Sequence, residues 1–333
     1  MSVATGFAER GLAPDFAMRV GIRGLLADRL RLEATAKRTD AFVDSLRTAP
    51  IALAPDLANT QHYEVPAEFF EQVLGKHRKY SCAWWDEGTR RLDEAEARML
   101  ALTCERAHLE DGQAILELGC GWGALSLWMA EHYPNSRIVA VSNSASQRAY
   151  LAARAPANLE VITADMNDFA TERRFDRVVS VEMFEHMRNW PALLERVAGW
   201  LTPGGKLFVH VFCHREFAYP FEAEGDDDWM AEHFFTGGMM PSWDLLPRFQ
   251  DHLALEERWQ VDGTHYQKTL DAWLKRFDAR RGTIRPVLAE TYGADQAERW
   301  LHRWRMFFLA CSELFGYKDG AEWFVGQYRM VKR

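Results

Sequence analysis

The segment ILELGCGWG, residues 115–123, constrains this chain more than any other part of it. A short apolar run ends in three glycines at alternate positions, Gly119, Gly121 and Gly123, and a helical pattern begins immediately afterwards. Glycines at a strand-to-helix turn let the backbone approach a ligand, and open α/β sheets bind ligands beyond the carboxyl ends of their strands. The turn therefore predicts a binding site together with a fold.

The flanking pattern agrees. Between Gln113 and Lys206, the runs AILEL (114–118), RIVAVS (137–142), LEVITAD (159–165), RVVSVE (177–182) and KLFVHVF (206–212) alternate with helical segments starting at Ala124, Ser146 and Trp190. Continuous Val/Ile/Leu runs separated by helices predict a parallel sheet buried on both faces, a doubly wound α/β domain. Apolar residues at helical spacing (Phe16, Val20, Ile22, Leu25, Leu26, Leu30, Leu32) predict one or two amphipathic helices over 13–50, an appendage rather than a site. Helical pattern recurs at Ala67–Leu74 and Leu92–His108, and PDLANTQHYEVP (55–66) reads as irregular. Beyond Cys213 the chain turns irregular and aromatic, followed by a predicted strand at Leu253–Val261, helices at 266–281 and 295–316, and a last strand near Trp323–Val331. The expected organisation is a helical extension over 1–60, a ligand-binding core over 61–214, a cover over 215–252, and a segment over 253–333 that completes the sheet and adds pocket helices.

Charge and cysteine content narrow the function classes. The 333 residues carry 40 basic and 48 acidic side chains, a net charge of −8, with the basic ones scattered, so no footprint for nucleic acid or an anionic membrane is expected. No apolar run approaches the roughly 20 residues that span a bilayer, and the amino terminus lacks the apolar region of a signal peptide. Cys82, Cys104, Cys120, Cys213 and Cys311 lie far apart without a C-x-x-C pair, which argues against disulfides or a zinc ribbon and for a reduced, cytoplasmic protein. His210, Phe212 and His214 share one face of a predicted strand while Cys213 points to the other, so no metal is expected there.

The ligand of the glycine turn follows from its spacing. A dinucleotide site takes G-x-G-x-x-G and an acidic residue about 20 positions on. Here the third glycine comes one residue early, Glu117 precedes the first, and the second strand ends Val141–Ser142–Asn143 without a carboxylate. The E-x-G-x-G-x-G form resembles S-adenosylmethionine (SAM)-dependent methyltransferases. That resemblance implies a class I Rossmann-like methyltransferase sheet with a SAM site at Glu117, Gly119, Gly121, Ser142, Asn143 and Gln147. It also implies Asp165, followed by Met166, on the adenine.

Longer segments carry a closer likeness. HYEVPAEFF (62–70), KYSCAWWDE (79–87), LELGCGWG, VSNSASQ (141–147) and VEMFEHM (181–187) resemble the cyclopropane-fatty-acid synthase superfamily of SAM-dependent methyltransferases. Within it, SNS (142–144), EMFEHM (182–187), LFVHVFCH (207–214), DDDWMAEHFFTGGMMPS (226–242) and ELFGY (313–317) are most similar to the coclaurine- and pavine-type N-methyltransferases of benzylisoquinoline alkaloids. The likeness runs from about residue 60 to the carboxy terminus. It implies Tyr80 and Ser81 as further cofactor residues, Ser142 with Gln147 at the ribose, and Glu182, Glu185 and His186 as catalytic residues.

The chemistry of amine methylation fits these residue types. Displacement at a sulfonium leaves a neutral thioether that needs no proton, so orientation and exclusion of water dominate. An alkylamine with a pKa of about 9–10, near that of lysine, arrives protonated and without a lone pair. A carboxylate attracts such a cation and a neutral imidazole accepts its proton, which assigns His186 as base and Glu185 as partner or anchor, or the reverse. The competing activity is methyl or methylene addition to an unsaturated acyl chain, in which a bound bicarbonate takes the proton. The superfamily resemblance matches Cys82 and Glu185 to that pocket.

The remaining candidates concern the substrate. Trp229, Phe234, Phe235, Met239 and Met240 read as a cover lining an aromatic pocket for a cationic ring, with Gly237 and Gly238 as its hinge. His214 is expected at the pocket mouth and His210 as a satisfied core histidine. Trp300, Trp304, Phe308 and Cys311 follow helical spacing, a core stripe, although the alkaloid enzymes use the segment of Trp304 for substrate. The acidic run Glu222–Asp228 reads as a solvated face. The expected partner is a small amine, with SAM as cofactor and S-adenosylhomocysteine (SAH) as product; oligomeric state is left open, a homodimer included.

Overall fold

The computed structural model describes residues 3–53, 65–221 and 229–333. Most of the irregular stretch at 55–66, the start of the HYEVPAEFF motif and the acidic run Glu222–Asp228 lie outside the described residues.

The chain opens with helices α1 (Val3–Ala8), α2 (Asp15–Ala36) and α3 (Thr39–Ser45), followed by α4 (Ala67–Val73) and α5 (Leu92–Arg106). The Rossmann-like part then alternates β1 (Ala114–Leu118), α6 (Ala124–His132), β2 (Arg137–Ser142), α7 (Ala145–Ala152), β3 (Leu159–Thr163), β4 (Phe175–Val181), α8 (Trp190–Trp200) and β5 (Leu201–His214). A two-stranded ribbon, β6 (Tyr219–Pro220) with β7 (Met239–Met240), brackets helix α9 (Trp229–His233). The chain ends with β8 (Leu253–Val261), α10 (Gly263–Ala279), α11 (Arg281–Tyr292), α12 (Ala297–Gly316) and β9 (Trp323–Lys332).

One sheet of seven strands runs in the order β3-β2-β1-β4-β5-β9-β8, with β1 to β5 parallel and β9 antiparallel to both β5 and β8. Strand order reverses between β1 and β4, and at such a switch point the connections leave in opposite directions and open a crevice. Ile115, Leu116 and Leu118 of β1, and Val178 and Val179 of β4, are buried, as a sheet covered on both faces requires.

Two elements depart from the sequence pattern. Helix α11 contains Pro286, a residue that normally breaks a helix interior, and so it was not expected between the two helices that were. Strand β5 begins at Leu201 rather than Lys206, with a register shift against β4 across the Pro-Gly-Gly of 203–205. Glycine and proline there hide a strand that the sheet nonetheless continues through.

The amino-terminal extension is tied to the body more firmly than an appendage would be. Arg19 donates to Glu313 at 2.5 Å and to Asp271 at 3.2 Å, and Arg305 bridges Asp15 and Asp278. Past α3, the Arg188 amide donates to the Ile51 carbonyl at 2.6 Å and Ala52 pairs with Met187. Asn167 both accepts from the Ala52 amide and donates to its carbonyl. Ala52 thereby reaches the crevice at the switch point.

Candidate active site

The crevice at the switch point encloses about 720 Å³ of empty space, solvent at its open mouth included. Gly119 and Gly121 after β1, Ser142 and Asn143 at the end of β2, Asp165 and Met166 after β3, and Glu182, Met183 and His186 after β4 form its wall, with Gln147 of α7 beside them. Ala52 and the Thr236–Gly238 segment close the remaining side.

Local geometry explains the glycines. Gly119, Gly121 and Gly123 all have positive φ, and the Gly119 and Cys120 amides both donate to the Val141 carbonyl. A Cβ on Gly119 would lie 2.7 Å from the Met183 side chain, whereas one on Gly121 would meet nothing within 4 Å. Gly121 thus exposes bare backbone to the cavity. Gln147 accepts from the Ser142 hydroxyl at 2.7 Å, leaving its Nε2 buried with no hydrogen-bond partner among the described residues. Bare backbone, an unmatched donor at Gln147 and the Asp165 carboxylate fit a ligand with a polar sugar and an exocyclic amine, as SAM has.

Glu182 occupies a left-handed conformation (φ 49°), one that costs a non-glycine residue about 1–3 kcal/mol and persists only where surroundings impose it. Here they do. Its amide donates to the His210 carbonyl at 2.8 Å, Oε1 accepts from the Cys82 amide at 3.1 Å and lies 3.3 Å from His210 Nε2, and Oε2 accepts from the Tyr266 hydroxyl at 2.6 Å. Gln327 Nε2 and His210 Nδ1 are 2.9 Å apart. Lys79 is buried nearby, donating to Ser81 Oγ at 2.5 Å and to the Cys82 carbonyl at 2.7 Å.

The titratable groups around this carboxylate are shifted mainly by burial. Burial pulls His186 down to about 4 against the opposing effect of Glu182, so the imidazole is neutral at physiological pH. Burial, with the Glu182 charge adding to it, holds Glu185 well above the usual carboxylate range, and its Oε2 has no hydrogen-bond partner among the described residues. Burial also pushes the Cys82 thiol up, which keeps it unreactive. The His186 ring lies parallel to Phe235, 6.0 Å between centroids.

Several expected site residues lie elsewhere. Glu117 does not line the cavity; it is buried under the turn, bonded to Ser126, with burial raising its pKa to about 7. Tyr80 and Ser81 also stand back from the wall: Tyr80 packs on Phe70 and Trp273, and Ser81 accepts from Lys79. His214 is not at a mouth, because its Nδ1 accepts the amides of Glu216 and Phe217 and its ring is buried against Phe217 and Trp323. Phe234, Met239 and Trp304 are fully buried, Phe234 stacked on Phe307 and Trp304 packed on Phe69, so they hold the cover together instead of facing open space. Trp229 and Phe235 are half-buried, and Trp229 is committed to Glu9 through its indole N–H at 2.9 Å. His210, expected in the core, is there, and it also contacts the site carboxylate.

Sequence reasoning missed Tyr266, Lys79 and Met183. A single tyrosine on an amphipathic helix carries no signal; only the fold brings Tyr266 within reach of Glu182, 84 residues away. Among the described residues, no group of three His, Cys, Asp or Glu is placed to hold a metal.

A seven-stranded, mostly parallel sheet with a glycine turn after β1 and a polar crevice at the switch point defines a class I SAM-dependent methyltransferase. Residues 54–321 match the mycolic acid cyclopropane synthetase family, and the chain belongs to that family. Among curated relatives, (S)-coclaurine N-methyltransferase of Thalictrum flavum subsp. glaucum is 37% identical over 98% of this chain and 94% of its own length. Cyclopropane-fatty-acyl-phospholipid synthase of Escherichia coli (strain K12) is 29% identical over 80% of this chain and 66% of its own. The crystal structure of coclaurine N-methyltransferase bound to N-methylheliamine and SAH superposes with a TM-score of 0.93 at 37% identity, covering 98% of both chains.

Proposed function

We propose that this enzyme transfers a methyl group from SAM to the nitrogen of a small, partly aromatic amine of the tetrahydroisoquinoline type. The observation that carries the reading is the likeness to the coclaurine enzyme over essentially the whole chain; the fatty-acyl synthase aligns over a smaller share at lower identity.

The bound cofactor supplies an electrophilic methyl on a sulfonium. Gly119, Gly121, Ser142, Asn143, Gln147, Asp165 and Met166 would hold it, the backbone of the turn and the Gln147 amide against the ribose side and Asp165 toward the adenine. Glu182, fixed by Tyr266, Cys82 and His210, presents a carboxylate to the ammonium form of the substrate. Neutral His186 at the cavity wall accepts the proton that frees the lone pair. Glu185, held toward its protonated form by burial and the Glu182 charge, acts as partner to His186 rather than as the acceptor of that proton. The aromatic cover excludes water from this exchange. Five free, buried cysteines suit a reducing cytoplasm.

Isotopically labelled SAM offered in parallel with a panel of cyclic secondary amines and with unsaturated phospholipid tests the reading. Label in the amine fraction is the expected result. Label in lipid alone would replace it with the fatty-acyl activity.

A further inference from the structure

The residue that follows the first helix contributes its side chain to the far side of the cover. Glu9, directly after α1, is only 2% exposed. Its carboxylate accepts from Trp229 Nε1 at 2.9 Å, Arg299 Nε at 2.6 Å and Arg303 Nε at 2.9 Å, and lies 3.8 Å from His233 Nε2. Trp229 and His233 belong to the cover helix α9, Arg299 and Arg303 to the long helix α12. No single residue in the sequence marks this arrangement, since Glu9 sits in a segment without motifs.

The charges make the carboxylate necessary. Arg299 and Arg303 stand one turn apart on the same helix face, so they repel each other unless an anion lies between them. Arg303 is nearly buried and stacks over Trp300 at 4.9 Å. With Glu9 gone, that guanidinium would be buried with its main counter-charge removed, directly beneath α9.

The cover transmits this to the reacting centre. His233 is followed by Phe234, stacked on Phe307 of α12 with ring centroids 4.4 Å apart, and by Phe235, which lies parallel to the His186 ring. Phe235 also meets Phe212 of β5 edge-on. A shift of α9 away from α12 therefore moves the ring that faces the proposed base, while the cofactor wall, built from the ends of β1 to β4, is not touched by Glu9.

We propose that Glu9 is a positioning residue for the substrate side of the site, clamping α9 onto α12 so that Phe235 keeps its place against His186. The proposal rests on the reading that the substrate is an amine bound beneath the cover. Two variants of the 333-residue chain test it: Glu9→Gln, which keeps shape but removes the charge, and Trp229→Phe, which keeps an aromatic ring but removes the N–H donor.

The expected result for Glu9→Gln is a rise of about fivefold in KM for the amine, with SAH affinity by calorimetry changed by less than about twofold. Amide hydrogen exchange over 229–240 should quicken several-fold, a readout that needs no substrate. Trp229→Phe should move both quantities in the same direction by less, and it decides the matter if Glu9→Gln does not fold. A lower melting temperature with unchanged amine KM and unchanged exchange over 229–240 would overturn the proposal, since it would leave Glu9 a purely structural residue. If the wild-type chain methylates no amine, the functional reading fails, and the exchange measurement still decides the role of Glu9.

Discussion

The Tyr266 hydroxyl donates to Oε2 of Glu182 across 2.6 Å, joining the first turn of α10 to the residue that leaves β4 in a strained conformation. Tyr266 is buried and Glu182 partly so, and burial together with the Glu182 charge holds the phenol far above its ordinary pKa, so Tyr266 is a donor at every working pH. We expect Tyr266→Phe to lower kcat by about tenfold to a hundredfold, the size of one hydrogen bond to a charged group, with little change in SAM affinity. Steady-state kinetics beside calorimetry with SAH check this. An unchanged kcat would remove Glu182 orientation from the mechanism.

His186 makes a prediction about pH. Burial depresses its pKa to about 4, so between pH 6 and 9 the imidazole does not titrate, and the wild-type rate should stay nearly level although the substrate in solution is largely protonated. His186→Ala should lose about 10²- to 10⁴-fold in turnover at pH 7, the usual contribution of a positioned base. Part of that loss should return at higher pH, where the amine sheds its proton to solvent. Equal impairment from pH 7 to 10 would cancel the assignment.

Glu117 should reveal itself in stability. Its folded pKa, raised to about 7 by burial, exceeds its unfolded value, so the folded state binds the extra proton between the two. That contribution is fully present below about pH 4.5 and is lost as pH climbs through 7. Glu117→Gln removes the titration. Relative to wild type, the variant should therefore gain up to about 3 kcal/mol between pH 4.5 and 8, by urea unfolding at each pH. A pH-independent difference would show that Glu117 is not perturbed.

The two glycines facing the crevice should fail differently. Gly119→Ala places a Cβ 2.7 Å from Met183 at φ 81°, so we expect a loss of stability of a few kcal/mol, about the cost of overpacking plus strain. Gly121→Ala meets no neighbour and carries only the strain of its φ of 52°, and because Gly121 lines the cavity its larger effect should be on SAM affinity. Melting curves and calorimetry on the two variants separate these outcomes, and identical behaviour would contradict the geometry.

Asp165 lines the cavity and accepts the Asn167 amide at 2.7 Å through Oδ1, which leaves its second oxygen for a ligand. Asp165→Ala should weaken SAM binding about tenfold, the worth of a hydrogen bond to a charged group. Affinity within about twofold of wild type would move the adenine contact elsewhere.

Much of this molecule is legible in one dimension because its code is local. The strands β1 and β2 coincide with AILEL and RIVAVS, and β8 with the run 253–261, since continuous or bounded apolar runs have few alternatives once helices flank them. The glycine turn, Ser142, Gln147, Asp165 and His186 were readable for a related reason: each follows a strand end by a fixed short distance, and a parallel sheet brings all strand ends to one edge. Helix α11 was hidden by Pro286, and the start of β5 by Pro-Gly-Gly, where local propensity runs against what the neighbouring strand imposes.

What the sequence determined by itself was the sheet, its ligand edge and the kind of group that edge receives, because these depend on residues within a few positions of each other. Only the tertiary structure decided which side chains face the cavity and which brace it. Glu117, Trp304 and His214 turned inward, while Tyr266 and Glu9 reached partners 84 and about 290 residues away. The physical reason is that a buried polar group must find its partner in space, and that choice is made by the packing of whole helices, which no local pattern encodes.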